Sequence, residues 1–588
     1  MSLPKPMPNE RVRDMGLMRR IRNAILHRLQ RVPDRIYAHR HPGPVARRVI
    51  LLLAPLVLRF QPNDKWNLHV FISKWMKTLQ MGSRTPLPKS KHIFLFSAYR
   101  GRFCMDVVLA TLLAWRGHRV TIGYLPMLQS PIKEPRIDHP SAKGYLAAAL
   151  LRVGELSSGR IRCVDLTDGP GESTIIDEAY IEQRARYDTI MAMCRENLDP
   201  EDPECVANLE HYREFGRLAA KAARFYFDRE ARTIDLCIIP NGSTFSGTHV
   251  LKAAKVYGLP VNCFDKFSFR NIRLLNHGGH IRNFDDIAAV WSARGELGMN
   301  DEDFLERATD KALQAVNKRR SGSIDAWVTR PQQARSQGVA AVRQEIGVGP
   351  DEPLILVCTN VPFDAGYDAL LTVFPSMRAW LIDTMRHLLK HSNKRIVLRA
   401  HPDEARWGGD ETTERLVRDA GIDLSDVVLI PAEQSVNTYD LIDAADCGVV
   451  FSTTVGLEMA MLGKPVLVGS SVYYAGKGFT VDPRDADDYL ALLARFGRDC
   501  TDFIPTAHRV QDAKLFHFLL HYAMQWPFPY DKPSGIERTP PDRLVARDCI
   551  EKFIPTLDAL SQTKEEWREA LPLYLNASAD NHMSRALQ

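Results

Sequence analysis

Apolar positions change their spacing along this chain. Between residues 15 and 32 they fall at Met18, Ile21, Ile25, Leu29 and Val32, three or four apart, which predicts a helix with one apolar face. Arg19, Arg20, Arg22, Arg28 and Arg31 lie between them. From Lys91 onward the spacing gives way to short solid apolar runs. HIFLFSA (92–98), VTIGYL (120–125), IRCVDL (161–166), DLCIIPNG (235–242), PVNCFD (260–265) and IAAVWSA (287–293) each predict a buried strand. Helices are expected at Met105–Trp115, through most of 175–229 and from about Ser246 to Tyr257. Residues 294–350 are charged and helical in pattern, without strands. The alternation then resumes with LILVCTN (354–360), RIVLRAHP (395–402), VVLIPA (427–432), CGVVFS (447–452) and PVLVG (465–469). Helices are expected between them at 375–391, 411–420, 437–445 and 455–462.

Strands alternating with helices predict βαβ units and parallel sheets. Five domain-scale regions follow: a basic helical extension (1–88), a Rossmann-like lobe (89–293), a helical linker (294–350), a second Rossmann-like lobe (351–489) and a helical tail packing back on the lobes (490–588). Parallel sheets bind ligands beyond the carboxyl ends of their strands, so the residues just after each strand are where chemistry is expected.

Composition narrows the function. The chain has 588 residues, enough for about three to five domains. Hydrophobic residues make up 45% and charged residues 25%, which excludes global disorder. The ten cysteines are scattered with no CxxC pair, which argues against a zinc ribbon or disulfide scaffold and fits a reducing compartment. The net charge of +6 is unevenly placed. Residues 1–60 hold 13 Lys and Arg against Glu10, Asp14 and Asp34, so that end carries +10 and the rest −4. A nucleic-acid-binding polycation is therefore not expected.

The basic amphipathic segment suits an anionic membrane surface. The run Val49–Leu58 is about half the length of a bilayer crossing and is interrupted by Pro55, so it predicts no transmembrane helix. Residues 15–60 either contact a membrane surface or pack on the protein's own body.

GxxxxGK[ST], GxGxxG after a strand, HExxH and GxSxG are all absent, which withholds support from P-loop, dinucleotide, zincin and serine-hydrolase readings. Three strand ends in the second lobe are more informative. RIVLR runs into Ala400-His401-Pro402-Asp403-Glu404, where Arg399 and His401 suit a nucleotide base, ribose or phosphate; a plain turn is the alternative. CGVVF runs into Ser452-Thr453-Thr454 and a helix carrying Glu458. Hydroxyls and free N–H groups there suit an anion, or serve simply as a cap. LILVC runs into Thr359-Asn360-Val361-Pro362-Phe363-Asp364. In the first lobe, Asp106 follows the first strand. Asp364 and Asp106 are the candidate catalytic carboxylates, each with an alternative reading as a helix N-terminal charge.

The runs RAHP, STTVGLEMAMLGKPVLV (452–468), YYAGKGFTVDP (473–483) and TNVPFDA (359–365) resemble the bacterial capsule polysaccharide biosynthesis family, which includes Kdo transferases. The resemblance covers roughly 350–485 and more faintly 235–290. It implies an α/β GT-B fold, two Rossmann-like lobes facing a cleft with helical N- and C-terminal extensions, and a donor nucleotide on the C-terminal lobe. The chain is also similar to GT-B CMP-sialic acid transferases. On that basis His401 and Pro402 would line the cytidine, Ser452, Thr453 and Thr454 would bind phosphate, and Glu458 would contact ribose or base. Asn360, Arg399, Glu404 and Lys477 complete the implied donor set. Thr167-Asp168-Gly169 matches only partly the acidic motif of those transferases.

The implied function is transfer of a Kdo-type sugar from a CMP donor to a glycolipid or polysaccharide, with no cofactor and no metal, at the cytoplasmic face of the inner membrane. A CDP-glycerol-type glycerophosphotransferase and a non-catalytic capsule assembly or export factor are the alternatives.

Overall fold

The computed structural model describes residues 89–97, 100–125, 157, 159–167, 176–243, 245–265, 272–322, 334–361, 363, 371–407, 411–528 and 553–579. The basic N-terminal segment, with both of its readings, lies outside these residues, as do Asp364 and Asp168–Gly169.

The first lobe is built on β1 (His92–Ser97), α1 (Arg100–Arg116), β2 (Arg119–Tyr124), β3 (Ile161–Asp165), α2 (Glu178–Met193), α3 (Pro203–Glu230), β4 (Leu236–Pro240), α4 (Phe245–Val256), β5 (Val261–Asp265) and β6 (Ile272–His277). Its sheet has the order β12-β6-β5-β4-β1-β2-β3, where β12 is Gln525–Pro527 from the C-terminal tail. Strands β1 to β5 are parallel; β6 and β12 are antiparallel additions at one edge. Every residue of β1 is buried, because both faces are covered. The alternation of the strand sorts its side chains: Ile93 and Leu95 join a cluster with Val108, Leu112 and Leu560, while Phe94 and Phe96 join Ala223, Phe227 and Val250 on the opposite face.

The connecting segment forms α5 (Asp285–Ser292), α6 (Glu302–Arg320) and α7 (Val339–Glu345). The second lobe holds β7 (Leu354–Cys358), α8 (Met377–His391), β8 (Arg395–Arg399), α9 (Glu404–Trp407), α10 (Thr413–Asp419), β9 (Val427–Ile430), α11 (Thr438–Ala444), β10 (Cys447–Val450), α12 (Val455–Met461), β11 (Val466–Val468) and α13 (Ala486–Arg498). Its five strands are all parallel, in the order β11-β10-β7-β8-β9. β7 again divides its side chains: Leu354 and Leu356 face one cluster, Ile355 and Val357 the other. The tail supplies α14 (Ala507–Phe518), β12, α15 (Ile554–Ser561) and α16 (Lys564–Ala579).

Three local expectations are corrected. IAAVWSA is helix α5, not a strand: Ile287, Val290 and Trp291 are its buried positions, at helical spacing, and Asp285 and Asp286 occupy its first turn. IRLLNH, expected as no element, is strand β6. Residues 525–530, expected to lie in the helical tail with no strand, include Gln525–Pro527, which pairs with β6. Among the described residues no helix is long and apolar enough to cross a membrane.

Candidate functional site

Each sheet has one place where the chain order reverses direction, and such a switch point opens a crevice at the carboxyl edge. In the second lobe it lies between β7 and β10, since β8 and β9 extend one way and β11 the other. Asn360, just past β7, spans it: its Oδ1 accepts a hydrogen bond from the Ser452 backbone N–H, just past β10, at 3.0 Å. β8 is the next strand over, so Arg399 and His401 stand beside Asn360. Three motifs separated by tens of residues in sequence thus meet on three adjacent strand ends.

Arg399 is buried, in register with Cys358 of β7 and Ile430 of β9. Its Nη1 donates to the Pro431 carbonyl at 2.7 Å. Among the described residues it forms no ion pair and its Nε finds no partner. Burial pulls its pKa down, opposed by the nearby Cys358 thiol and by the Glu404 carboxylate. His401 accepts the Asp403 N–H on Nδ1 at 3.1 Å, which fixes the ring in a turn closed by Pro402.

Ser452, Thr453 and Thr454 connect β10 to α12. Thr453 is buried; its Oγ1 accepts from the Val455 N–H at 3.4 Å. Thr454 is the residue before the helix, and its side chain makes no cap bond. Its Oγ1 instead meets the Tyr473 hydroxyl at 3.2 Å.

Four of the expected site residues sit differently. Glu404 is buried and turned inward, accepting from the Thr413 N–H at 2.9 Å and the Thr413 hydroxyl at 2.5 Å; Thr413 in turn meets the Thr359 hydroxyl at 2.9 Å. Burial raises the pKa of Glu404. That carboxylate ties α9 and α10 to the end of β7. Glu458 is fully buried in an ion pair with Arg319 of α6. Its charge is matched from the connecting helix rather than presented to a ribose. Lys477 lies in the loop after β11, half-buried, with Nζ donating to the Ala475 carbonyl at 3.3 Å and its pKa lowered by burial. Asp106 is wholly buried in α1 and accepts from the Ser97 hydroxyl at 2.8 Å, at the carboxyl end of β1. Asp364 lies outside the described residues.

Three groups with a part in this arrangement carry no local sequence signal. Arg319 reaches Glu458 from a different domain-scale region. Glu196, in the turn after α2, accepts from the Met377 and Arg378 N–H groups of α8, each at 2.9 Å, so the first lobe caps a helix of the second. Glu411 answers from the second lobe, accepting from the Glu196 N–H at 2.6 Å and the Asn197 N–H at 3.2 Å. Ile190, Val361 and Phe363 form an apolar patch beside this exchange. Burial, reinforced by Glu411, pushes the Glu196 pKa up to about 7. Among the described residues no group of three His, Cys, Asp or Glu side chains is arranged to hold a metal.

Two Rossmann-like lobes, with polar clusters on the carboxyl edge of the second, define a two-lobed α/β protein of GT-B-like architecture. No family model and no curated protein matches the sequence. Among solved structures the chain is similar to KpsC of Thermosulfurimonas dismutans described as a beta Kdo 2,4 transferase: 16% identity over 48% of this chain and 88% of that one, with a TM-score of 0.30. It is similar also to KpsC of the same organism described as a beta Kdo 2,7 transferase, at 17% identity over 50% of this chain and 80% of that one, TM-score 0.31. The calicheamicin glycosyltransferase CalG4 matches at 13% identity over 79% of this chain and 99% of that one, TM-score 0.26.

Proposed function

We propose that the chain is a glycosyltransferase of capsule or surface polysaccharide synthesis that takes a Kdo-type sugar from a CMP donor to a glycolipid or polysaccharide acceptor. The observation that carries this reading is the meeting of Asn360, Arg399–His401 and Ser452–Thr454 at one switch point, with the Asn360–Ser452 bond across it. Cytidine as the base and Kdo as the sugar come from the resemblance of the motif runs.

Cleavage of the bond between sugar and CMP leaves negative charge on the phosphate. Groups placed beforehand at that charge lower the barrier, because they need no reorganisation as it develops. The Ser452 and Thr454 hydroxyls would donate to the phosphate, and the buried Arg399 guanidinium would supply a positive field behind it. His401 and Pro402 would hold the cytidine. An acceptor hydroxyl needs a proton acceptor, for which Asp364, next to the interlobe residue Phe363, is the candidate. No resident cofactor is needed for these steps. Residues 15–60 would hold the enzyme on the cytoplasmic face of the inner membrane, beside a lipid-linked acceptor.

Calorimetric titration with CMP, UMP and cytidine tests the site. Losing one contact to a charged phosphate costs about 1.5–3 kcal/mol and one to the neutral base about 0.5–1.5, so Ser452→Ala should bind CMP roughly ten- to hundredfold more weakly and His401→Ala roughly two- to tenfold. Turnover of CMP-Kdo, compared with CDP-glycerol and UDP-sugars, tests the reaction. CMP binding unaltered in both variants would remove the site; turnover of CDP-glycerol alone would replace the reaction.

A further inference from the structure

The loop after β11 carries adjacent tyrosines that both reach the 452–454 turn. The Tyr474 hydroxyl donates to the Thr453 carbonyl at 2.7 Å. Its fit is tight enough that a Cβ at position 456 would lie 2.3 Å from the Tyr474 oxygen, which accounts for Gly456 there. The Tyr473 hydroxyl meets Thr454 Oγ1 at 3.2 Å. The two tyrosine rings contact edge to face, with centroids 5.1 Å apart.

Tyr473 is held from the far side as well. Its ring stacks on Phe284, centroids 4.7 Å apart and planes 29° from parallel. Phe284 has φ of +52°, a conformation that a bulky residue adopts only where its surroundings impose it. Three residues earlier, the Ile281 N–H donates to the Asn241 carbonyl at 3.0 Å. Asn241 follows β4, at the switch point of the first lobe, and also has positive φ, +61°. A continuous series of contacts therefore runs from the first lobe's switch point through Phe284 and Tyr473 to Thr454.

We propose that Tyr473 is a positioning residue for the phosphate of a bound nucleotide: its hydroxyl donates to Thr454 Oγ1, which leaves the Thr454 proton directed at a phosphate oxygen, while Phe284 holds its ring. The inference rests on the placement of the nucleotide phosphate at residues 452–454. A threonine hydroxyl rotates freely and donates to whatever acceptor is near. An incoming donor on its oxygen restricts that choice and polarises the hydroxyl toward the ligand. Burial raises the pKa of Tyr473 to about 12, so the phenol keeps its proton and remains a donor.

The test is a double-variant cycle in ligand binding. Parent, Tyr473→Phe, Thr454→Val and the double variant are titrated with CMP and, separately, with cytidine, which lacks the phosphate. Tyr473→Phe keeps the ring and its stack. It should bind CMP about three- to tenfold more weakly, the loss of one hydrogen bond, and bind cytidine as the parent does. The double variant should bind CMP no more weakly than Thr454→Val alone, because no hydroxyl is left to orient. Phe284→Leu should show a smaller loss, again confined to CMP. Unchanged CMP binding in Tyr473→Phe alongside a loss in Thr454→Val would overturn the role of Tyr473 and leave the phosphate placement standing. Additive losses in the double variant, or equal losses for CMP and cytidine, would overturn it likewise. Thr454→Val binding CMP as tightly as the parent would overturn the phosphate placement itself, and the inference with it.

Discussion

The two sheets are assembled from the chain in opposite ways. The second lobe takes its five parallel strands from residues 354–468, each separated from the next by a short helical crossover. The first lobe takes six strands from residues 92–277 and its seventh from residues 525–527. The tail that brings this strand also binds the lobe through side chains. Arg116 grips Asp558 with two bonds of 2.9 and 2.8 Å. Asn262 donates to the Leu560 and Gln562 carbonyls at 2.8 and 2.7 Å, and Lys91 reaches the Ser561 carbonyl at 2.7 Å. His277 is wholly buried between the Asp286 carboxylate, at 2.6 Å, and the Ala559 carbonyl, at 2.9 Å, and stacks on Trp567. A sheet built from local crossovers is complete once its own segment has folded. A sheet whose edge comes from the far end of the chain is complete only when that end has returned.

The largest effect should come from breaking that return. Trp526 is 1% exposed and packs edge to face on Tyr574, centroids 4.6 Å apart. Trp526→Ala should cost about 3–5 kcal/mol, read by hydrogen exchange as lost protection in β1, β4 and β5 ahead of β7 and β8. Simultaneous loss in both sheets would mean that the lobes unfold as one unit, and the contrast between them would fall.

The lobe junction should respond next, through pH. The folded pKa of Glu196 is raised to about 7, above the ordinary value of 4.5, by burial. Its favourable contribution is therefore fully present below about pH 4.5 and is lost as pH rises through about 7. At about 1.4 kcal/mol per unit, the change is on the order of 3 kcal/mol. Glu196→Gln should flatten the dependence of melting temperature on pH in that window, since the amide keeps the neutral carbonyl acceptor of the protonated acid and cannot ionise. A variant with the parent's full pH slope would show that another group sets it.

The smallest effect is expected inside the first lobe. Asp106→Asn retains an oxygen that can accept from Ser97, so stability should change by about 1 kcal/mol or less and turnover should persist. A drop of about 10²–10⁴ in turnover with donor affinity kept would identify Asp106 as a catalytic base.

How far the site could be read from the chain differs between the lobes for the same reason. Strand ends in the second lobe follow solid apolar runs, so Asn360, His401 and Ser452 stand out as polar residues where a parallel sheet exposes its edge. Their partners do not stand out. Arg319 looks like any cation in the last turn of a charged helix, and Glu196 like any acid in a polar turn. Tyr473 was visible as part of a motif run, without a role. In the first lobe IAAVWSA is apolar enough for a strand and short enough to be ambiguous, and only its burial at 287, 290 and 291 reveals a helix. IRLLNH carries too few apolar positions to announce β6.

What the sequence by itself determined was local. Apolar runs of strand length, helical spacing between them and punctuation by glycine and proline specify βαβ units, and the hydrophobic effect then requires both faces of each sheet to be covered. The tertiary structure decided what depends on distance. Which cation neutralises Glu458, which lobe caps α8, which segment closes the first sheet and which ring fixes the Thr454 hydroxyl are settled by contacts between residues far apart in the chain. Burial sets the cost of leaving each of those polar groups unpaired, and burial exists only once the lobes and the tail have packed together.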